Sequence, residues 1–132
     1  MSRVFVDTSA MFALLAPTDA AHERAVRVFA RLRARQSVLL TTSFNLVETY
    51  ALIGRRLGRE ATVAFRSSFA PLLDVAWVDR DLHERGLDLM LLMPLGVSLV
   101  DAVSFVFIRE QRVDEVFVFD SHFEKEGFPV AK

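Results

Sequence analysis

No cysteine occurs among the 132 residues, which excludes a disulfide scaffold, a thiol nucleophile and any zinc site built on thiolates. Lysine is scarce as well: Lys125 and Lys132 stand against fourteen arginines. Neither sign of charge dominates. Seventeen acidic and sixteen basic side chains leave a formal charge of −1, so the chain is no uniformly basic nucleic-acid coat, although a local basic patch around an acidic centre is compatible with that balance. Long apolar runs are missing too. The uncharged stretch from Leu89 to Val100 is interrupted by Pro94 and Gly96 and falls short of the roughly 20 residues that span a bilayer. Asp7 breaks the early apolar run where a secretory leader would need continuity. The expectation is a cytoplasmic protein that does not enter a membrane.

Glycine and proline are few, five and four, and scattered, so neither a linker nor a low-complexity segment divides the chain. Residues 1–132 read as a single domain. The closely spaced glycines of phosphate-binding and dinucleotide-binding loops are absent. Apolar residues are plentiful at 52%, which excludes intrinsic disorder. A mean hydropathy of +0.31 is high for so small a chain and implies apolar surface covered by a partner or a second copy.

The pattern of what is present alternates strands and helices. Arg3 to Val6 is a β-branched and aromatic run ending abruptly in Asp7-Thr8-Ser9, a buried strand running into a helix start. Thr18 or Asp19 caps a helix to about Arg35, with Ala25, Val28, Phe29 and Leu32 on one side and Arg24, Arg27, Arg31 and Arg35 on the other. That arginine stripe reads as a solvated face. Val38 to Thr41 is a second strand, and Ser43 caps a helix that Gly58 stops. A helix from about Arg59 to Phe69 is broken by Pro71, and Asp74 to Val78 is a third strand. Asp81-Leu82-His83-Glu84 resembles a capping box, and Ser98 opens a further helix. Glu115 to Phe119 is a fourth strand and Phe128 to Ala131 a short fifth. Such alternation predicts a three-layer α/β/α sandwich around a mostly parallel sheet of about five strands.

Ligands of open α/β sheets collect at the carboxyl ends of the strands, and two strands here end in a carboxylate, Asp7 and Asp120. If those strands are neighbours, the two acids stand about 5 Å apart. Asp101 lies in the first turn of its helix, where it either completes a cap with Ser98 or faces the same edge. Glu48 follows Asn45 by three residues, on one helical face. Each acid alone has a plain reading, as a cap, a turn or a surface residue; together they make a set. Two like charges 4 Å apart repel by about 4 kcal/mol at an effective dielectric of 20, so four carboxylates need protons or cations. Oxygen-only ligands favour Mg²⁺ or Mn²⁺, and such ions serve in-line phosphoryl displacement, the chemistry of nucleases.

Val6-Asp7-Thr8-Ser9-Ala10, Asn45-Leu46-Val47-Glu48, Ser98-Leu99-Val100-Asp101-Ala102 and Phe119-Asp120-Ser121-His122-Phe123 resemble, in order and spacing, the PIN-domain family and its VapC-type toxin ribonucleases of bacterial toxin–antitoxin pairs. The resemblance covers nearly the whole chain. It implies a Mg²⁺- or Mn²⁺-dependent endoribonuclease acting on RNA, held inactive by a cognate antitoxin and forming a homodimer. By motif, Asp7, Glu48, Asp101 and Asp120 match the metal-binding acids, with Asp120 at the most variable position, and Ser9 matches a hydroxyl near the metal. Arg55, Arg56 and Arg59 follow the Glu48 helix as candidate contacts to RNA or antitoxin. His122, close after Asp120, reads as a structural or turn residue, with contact to a phosphate as the alternative. The competing reading is a catalytically silent PIN-like module that binds RNA or protein without cutting; a repulsive four-acid cluster gives such a module no benefit.

Overall fold

The computed structural model describes residues 1–132. Its centre is a parallel sheet in the order β3-β2-β1-β4, formed by β1 (Arg3–Val6), β2 (Val38–Thr42), β3 (Asp74–Ala76) and β4 (Glu115–Phe117). Seven α-helices connect and flank the strands: α1 (Thr8–Leu15), α2 (His22–Ala34), α3 (Ser43–Arg56), α4 (Arg59–Ala64), α5 (Arg80–Leu92), α6 (Leu99–Glu110) and α7 (Ser121–Lys125). Strand side chains alternate between faces, and the core divides accordingly. Val4, Val6, Leu39 and Phe117 join Met11, Val28, Leu32 and Ile53 on one face. Phe5, Leu40, Val116 and Val118 join Phe105, Ile108 and Phe123 on the other. Because both faces are buried, the strands read as continuous apolar runs, and the three-layer expectation holds.

The fifth strand is the main departure. Val130 makes only an isolated parallel bridge to Val116, carried by Val116 N–H donating to Pro129 O and Ala131 N–H donating to Val116 O. Pro129 has no N–H to extend a ladder. The sheet therefore has four strands rather than about five. The neighbouring strands do pair as required for the acids: Val6 lies opposite Phe117, and Asp7 N–H donates to Phe117 O at 3.0 Å.

Local chemistry shifts several boundaries: α2 begins at His22 with no side-chain cap, β3 ends at Ala76 and β4 at Phe117. β2 continues through Thr42 because it pairs with Ala76, so Thr42 rather than Ser43 caps α3, its hydroxyl accepting from Asn45 N–H; the Ser43 hydroxyl instead accepts from Val78 N–H at 2.9 Å. Asp79, not the Asp81 segment, caps α5 through Leu82 N–H, and Asp81 pairs with Arg85 one turn on. The helix expected from Arg59 to Phe69 becomes α-helical only to Ala64, then widens into a π-turn over Phe65–Phe69 and tightens into a 3₁₀ turn over Ala70–Leu72 that accommodates Pro71. The π-turn puts Phe65 and Phe69 in the core together, rings stacked with centroids 5.5 Å apart.

Candidate metal centre at the carboxyl edge of the sheet

Asp7 leaves the end of β1, caps α1, and is only 4% exposed. Its Oδ2 accepts from the Ser9 backbone N–H at 3.0 Å and from the Ser9 hydroxyl at 2.7 Å. The same hydroxyl accepts from Phe119 N–H at 2.9 Å, which turns the chain away from the β4 ladder after Phe117 and carries Asp120 toward Asp7. Asp7 Oδ1 has no protein donor, and no fully buried polar side-chain atom in the molecule lacks a partner, so this oxygen keeps some access to solvent. Burial is the main reason the Asp7 carboxyl is pushed up to about 7; the Ser9 bonds oppose that rise, and Asp101 and Asp120 add to it.

Asp101, also nearly buried, sits in the first turn of α6, its backbone N–H held by the Ser98 cap at 3.1 Å. Both plain and functional readings of Asp101 are therefore satisfied at once, since the cap uses its backbone and leaves its carboxylate free. That carboxylate meets His122: Oδ2 lies 2.9 Å from Nδ1. Asp120 caps α7 by accepting from His122 N–H at 2.8 Å, and its Oδ1 stands 3.4 Å from the same ring nitrogen. Ligand atoms of Asp101, Asp120 and His122 all fall within 4.8 Å of one another. The Asp101 carboxyl is raised, first by burial, with the His122 hydrogen bond opposing and Asp120 reinforcing the rise.

Glu48 stands at the rim. As a residue it is exposed, yet partial burial of its carboxyl raises it, opposed by the Thr8 hydroxyl and augmented by the charges of Asp101 and Asp120. All four acids thus share one electrostatic neighbourhood, with Glu48 its outermost member. Asn45, expected on the Glu48 face, turns inward instead. Its Nδ2 donates to Thr42 and Ser104, each at 3.0 Å, while its carbonyls receive Thr8 and Thr49. This buried polar belt ties α1, α3 and α6 beneath the acids. Its one legible sign is the i,i+4 pair Asn45 and Thr49 inside an apolar helix. His122 is the residue that sequence reasoning undervalued: it lies among the acids, not in a passive turn, and its nearness to Asp101 arises only in the fold.

Arg55, Arg56 and Arg59 are exposed at the end of α3 and the start of α4, with the Arg56 guanidinium over the Phe12 ring at 5.9 Å. No lysine or arginine pairs with Asp7, Glu48, Asp101 or Asp120; among the cationic side chains only His122 reaches them. A carboxylate-rich donor set, with Asp7, Glu48 and Asp101 raised and the His122 nitrogen beside Asp101 and Asp120, fits a hard divalent cation.

Similarity to known proteins agrees with this geometry. The PIN-domain family model matches residues 4–128. The chain is 33% identical over 127 residues to the 23S rRNA-specific endonuclease VapC20 of Mycobacterium tuberculosis (strain H37Rv), covering 95% of both chains. The crystal structure of that bacterium's VapC20, described as a sarcin-ricin loop cleaving toxin, superposes with a TM-score of 0.82 at 33% identity and 95% coverage of each chain. FitAcB from Neisseria gonorrhoeae (TM-score 0.69, 14% identity, 98% of this chain and 96% of that one) shares the fold. So does VapBC2 from Rickettsia felis bound to a promoter DNA fragment (TM-score 0.68, 10% identity, 98% and 97%). A four-stranded parallel sheet with acids gathered at its carboxyl edge, matched along nearly its whole length, makes this chain a member of the PIN-domain family.

Proposed function

We propose that the protein is a Mg²⁺- or Mn²⁺-dependent endoribonuclease, the toxin of a VapBC-type pair, which acts in the cytoplasm on RNA, forms a homodimer and is restrained by a cognate antitoxin. The observation that carries this reading is the convergence of Asp7, Asp101 and Asp120 at one sheet edge, with the carboxyls of Asp7 and Asp101 raised and no arginine or lysine to neutralise the three. The similarity to VapC20 supports the reaction class, and makes 23S rRNA the first substrate to test.

Asp7, Asp101, Asp120 and Glu48 would hold the metal, which would supply Lewis-acid activation of water and positive charge opposite the scissile phosphate. Ser9 fixes one oxygen of Asp7 and leaves the other free. His122, with its Nδ1 protonated, donates to Asp101 and keeps that carboxylate beside Asp120. The buried Thr8–Asn45–Ser104 belt holds the three helices that carry Ser9, Glu48 and Asp101 in register. Arg55, Arg56 and Arg59 supply surface contacts to RNA or antitoxin.

The test is cleavage of 23S rRNA and of a mixed RNA pool in EDTA, Mg²⁺ and Mn²⁺, with Asp7→Asn as matched control. Cutting is expected with either metal, none in EDTA, and background only in the variant. Wild-type rates in Asp7→Asn would overturn the assignment.

A further inference from the structure

The arginine stripe of α2 is exposed, as read from sequence, and three of its members also line a groove. Arg24, Arg27 and Arg31 line one wall of a groove of about 440 Å³ whose other wall is Val118, Phe119 and the returning segment around Val130. None of the three arginines has an acidic partner within ion-pair distance, whereas Arg35, one turn further on, is engaged by Glu115 at 2.6 Å. The groove continues into a smaller cavity lined by Arg24, Phe119, Asp120 and Ser121. It therefore reaches Asp120, at the margin of the acidic centre. Phe119 is half-buried beside that junction, with the Arg24 guanidinium 5.9 Å from its ring centroid, and its backbone N–H is bonded to Ser9.

Arginine, a planar donor fork, is suited to phosphate. From Arg24 to Arg31 the helix rises about 10 Å, enough to follow some three phosphates at the ~3.4 Å spacing of a stacked strand. Lys132 adds a cation on the opposite wall, while Glu124, on the same lining, discourages phosphate on its own side. A cationic track with an aromatic face at its mouth is the combination that holds single strands; an acidic peptide would use the charges but has no need of the ring. We propose that Arg24, Arg27 and Arg31 with Phe119 form a subsite for the single-stranded RNA flanking the bond at the acidic centre, the arginines taking phosphates and the ring stacking a base. This rests on the endoribonuclease reading, and it deepens that reading by assigning where the substrate leaves the centre.

The experiment measures binding apart from cutting. A fluorescent single-stranded RNA is titrated, across a salt series, into wild type in EDTA and into the double variant Arg27→Ala/Arg31→Ala. Arg33→Ala/Arg66→Ala serves as a charge-matched control, because both residues are exposed and neither lines the groove. The groove variant is expected to flatten the dependence of log K on log salt by about 1.4, or ~0.7 for each phosphate that the arginines no longer neutralise, while the control keeps the wild-type slope. In metal, the groove variant is expected to raise KM for an RNA extended past the centre and to leave a minimal substrate unaffected. All these substitutions are on the surface, and unchanged melting curves verify folding. An unchanged slope, or an equal loss in the control, overturns the subsite. Loss of poly-glutamate binding with RNA binding intact also overturns it, by assigning the groove to a protein. A flattened slope without any cutting of RNA would retain the subsite and remove the nuclease reading instead.

Discussion

Ser9 serves three parts of the molecule with one hydroxyl. It donates to Asp7, accepts from Phe119 N–H, and so couples the end of β1 to the turn that delivers Asp120. Ser9→Ala removes both bonds and leaves the Phe119 amide without its acceptor, a loss of about 1–3 kcal/mol. The Asp7 carboxyl also loses an influence that lowers it, so its titration moves further up and metal binding shifts to higher pH. Metal-dependent cleavage is expected to fall by roughly 10–100-fold, the usual effect of removing an outer-shell partner, with a lower melting temperature. Ser9→Thr keeps the hydroxyl and is expected to restore most of the activity. Equal loss in both variants would assign Ser9 a packing role only. His122 is the complementary case, since its role depends on Asp101, 21 positions away, and no local pattern reveals such a contact.

Helix packing sets the next level. α5 and α6 approach most closely at Gly86, where an added Cβ would collide with the Val103 side chain and come within 3.1 Å of Val103 Cα. A rotamer change can clear the side chain but not the backbone. Gly86→Ala gains about 1 kcal/mol of helix propensity against about 1–3 kcal/mol of overpacking, so net destabilisation of about 1 kcal/mol is expected by denaturant titration. The variant should also reduce cleavage, because α6 carries Asp101. A more stable variant would show that the helices separate freely. At this scale the sequence was legible wherever local chemistry decides. β1 reads as an apolar run ending in Asp7, the Ser98 cap acts as expected, and Asp120 was found as the end of the expected Glu115 to Phe119 strand, although β4 stops earlier, at Phe117. It was not legible where tertiary pairing decides. The π-turn follows from burying Phe65 and Phe69 together, and Thr42 takes over the cap because β2 pairs one residue further. The α2 arginines are exposed as read, but their groove was not legible, because the segment around Val130 that makes its second wall lies at the far end of the chain.

Across the whole molecule, charge is segregated rather than scarce. The formal total is −1, but the buried carboxylates gather at one edge while Arg24, Arg27 and Arg31 stand unpaired beside them. Without a divalent ion this arrangement opposes folding, and the sign follows from Asp7. Its carboxyl titrates near 7 in the folded chain, against an ordinary value of 3.8, so between those pH values the folded state holds a proton that the unfolded chain has released. Stability should therefore fall as pH rises from about 4, with the penalty complete above about 7 and reaching at most about 4 kcal/mol. Glu48 and Asp101 shift in the same direction. Asp7→Asn cannot ionise there. In EDTA it should melt above the wild type at pH 8, with the difference shrinking toward pH 4. Mg²⁺ at about 100 times its dissociation constant should return roughly 2.7 kcal/mol to the wild type and little to the variant. Parallel melting curves for the two proteins across pH, in EDTA and in Mg²⁺ alike, would mean that Asp7 neither resists ionisation in the fold nor holds the metal.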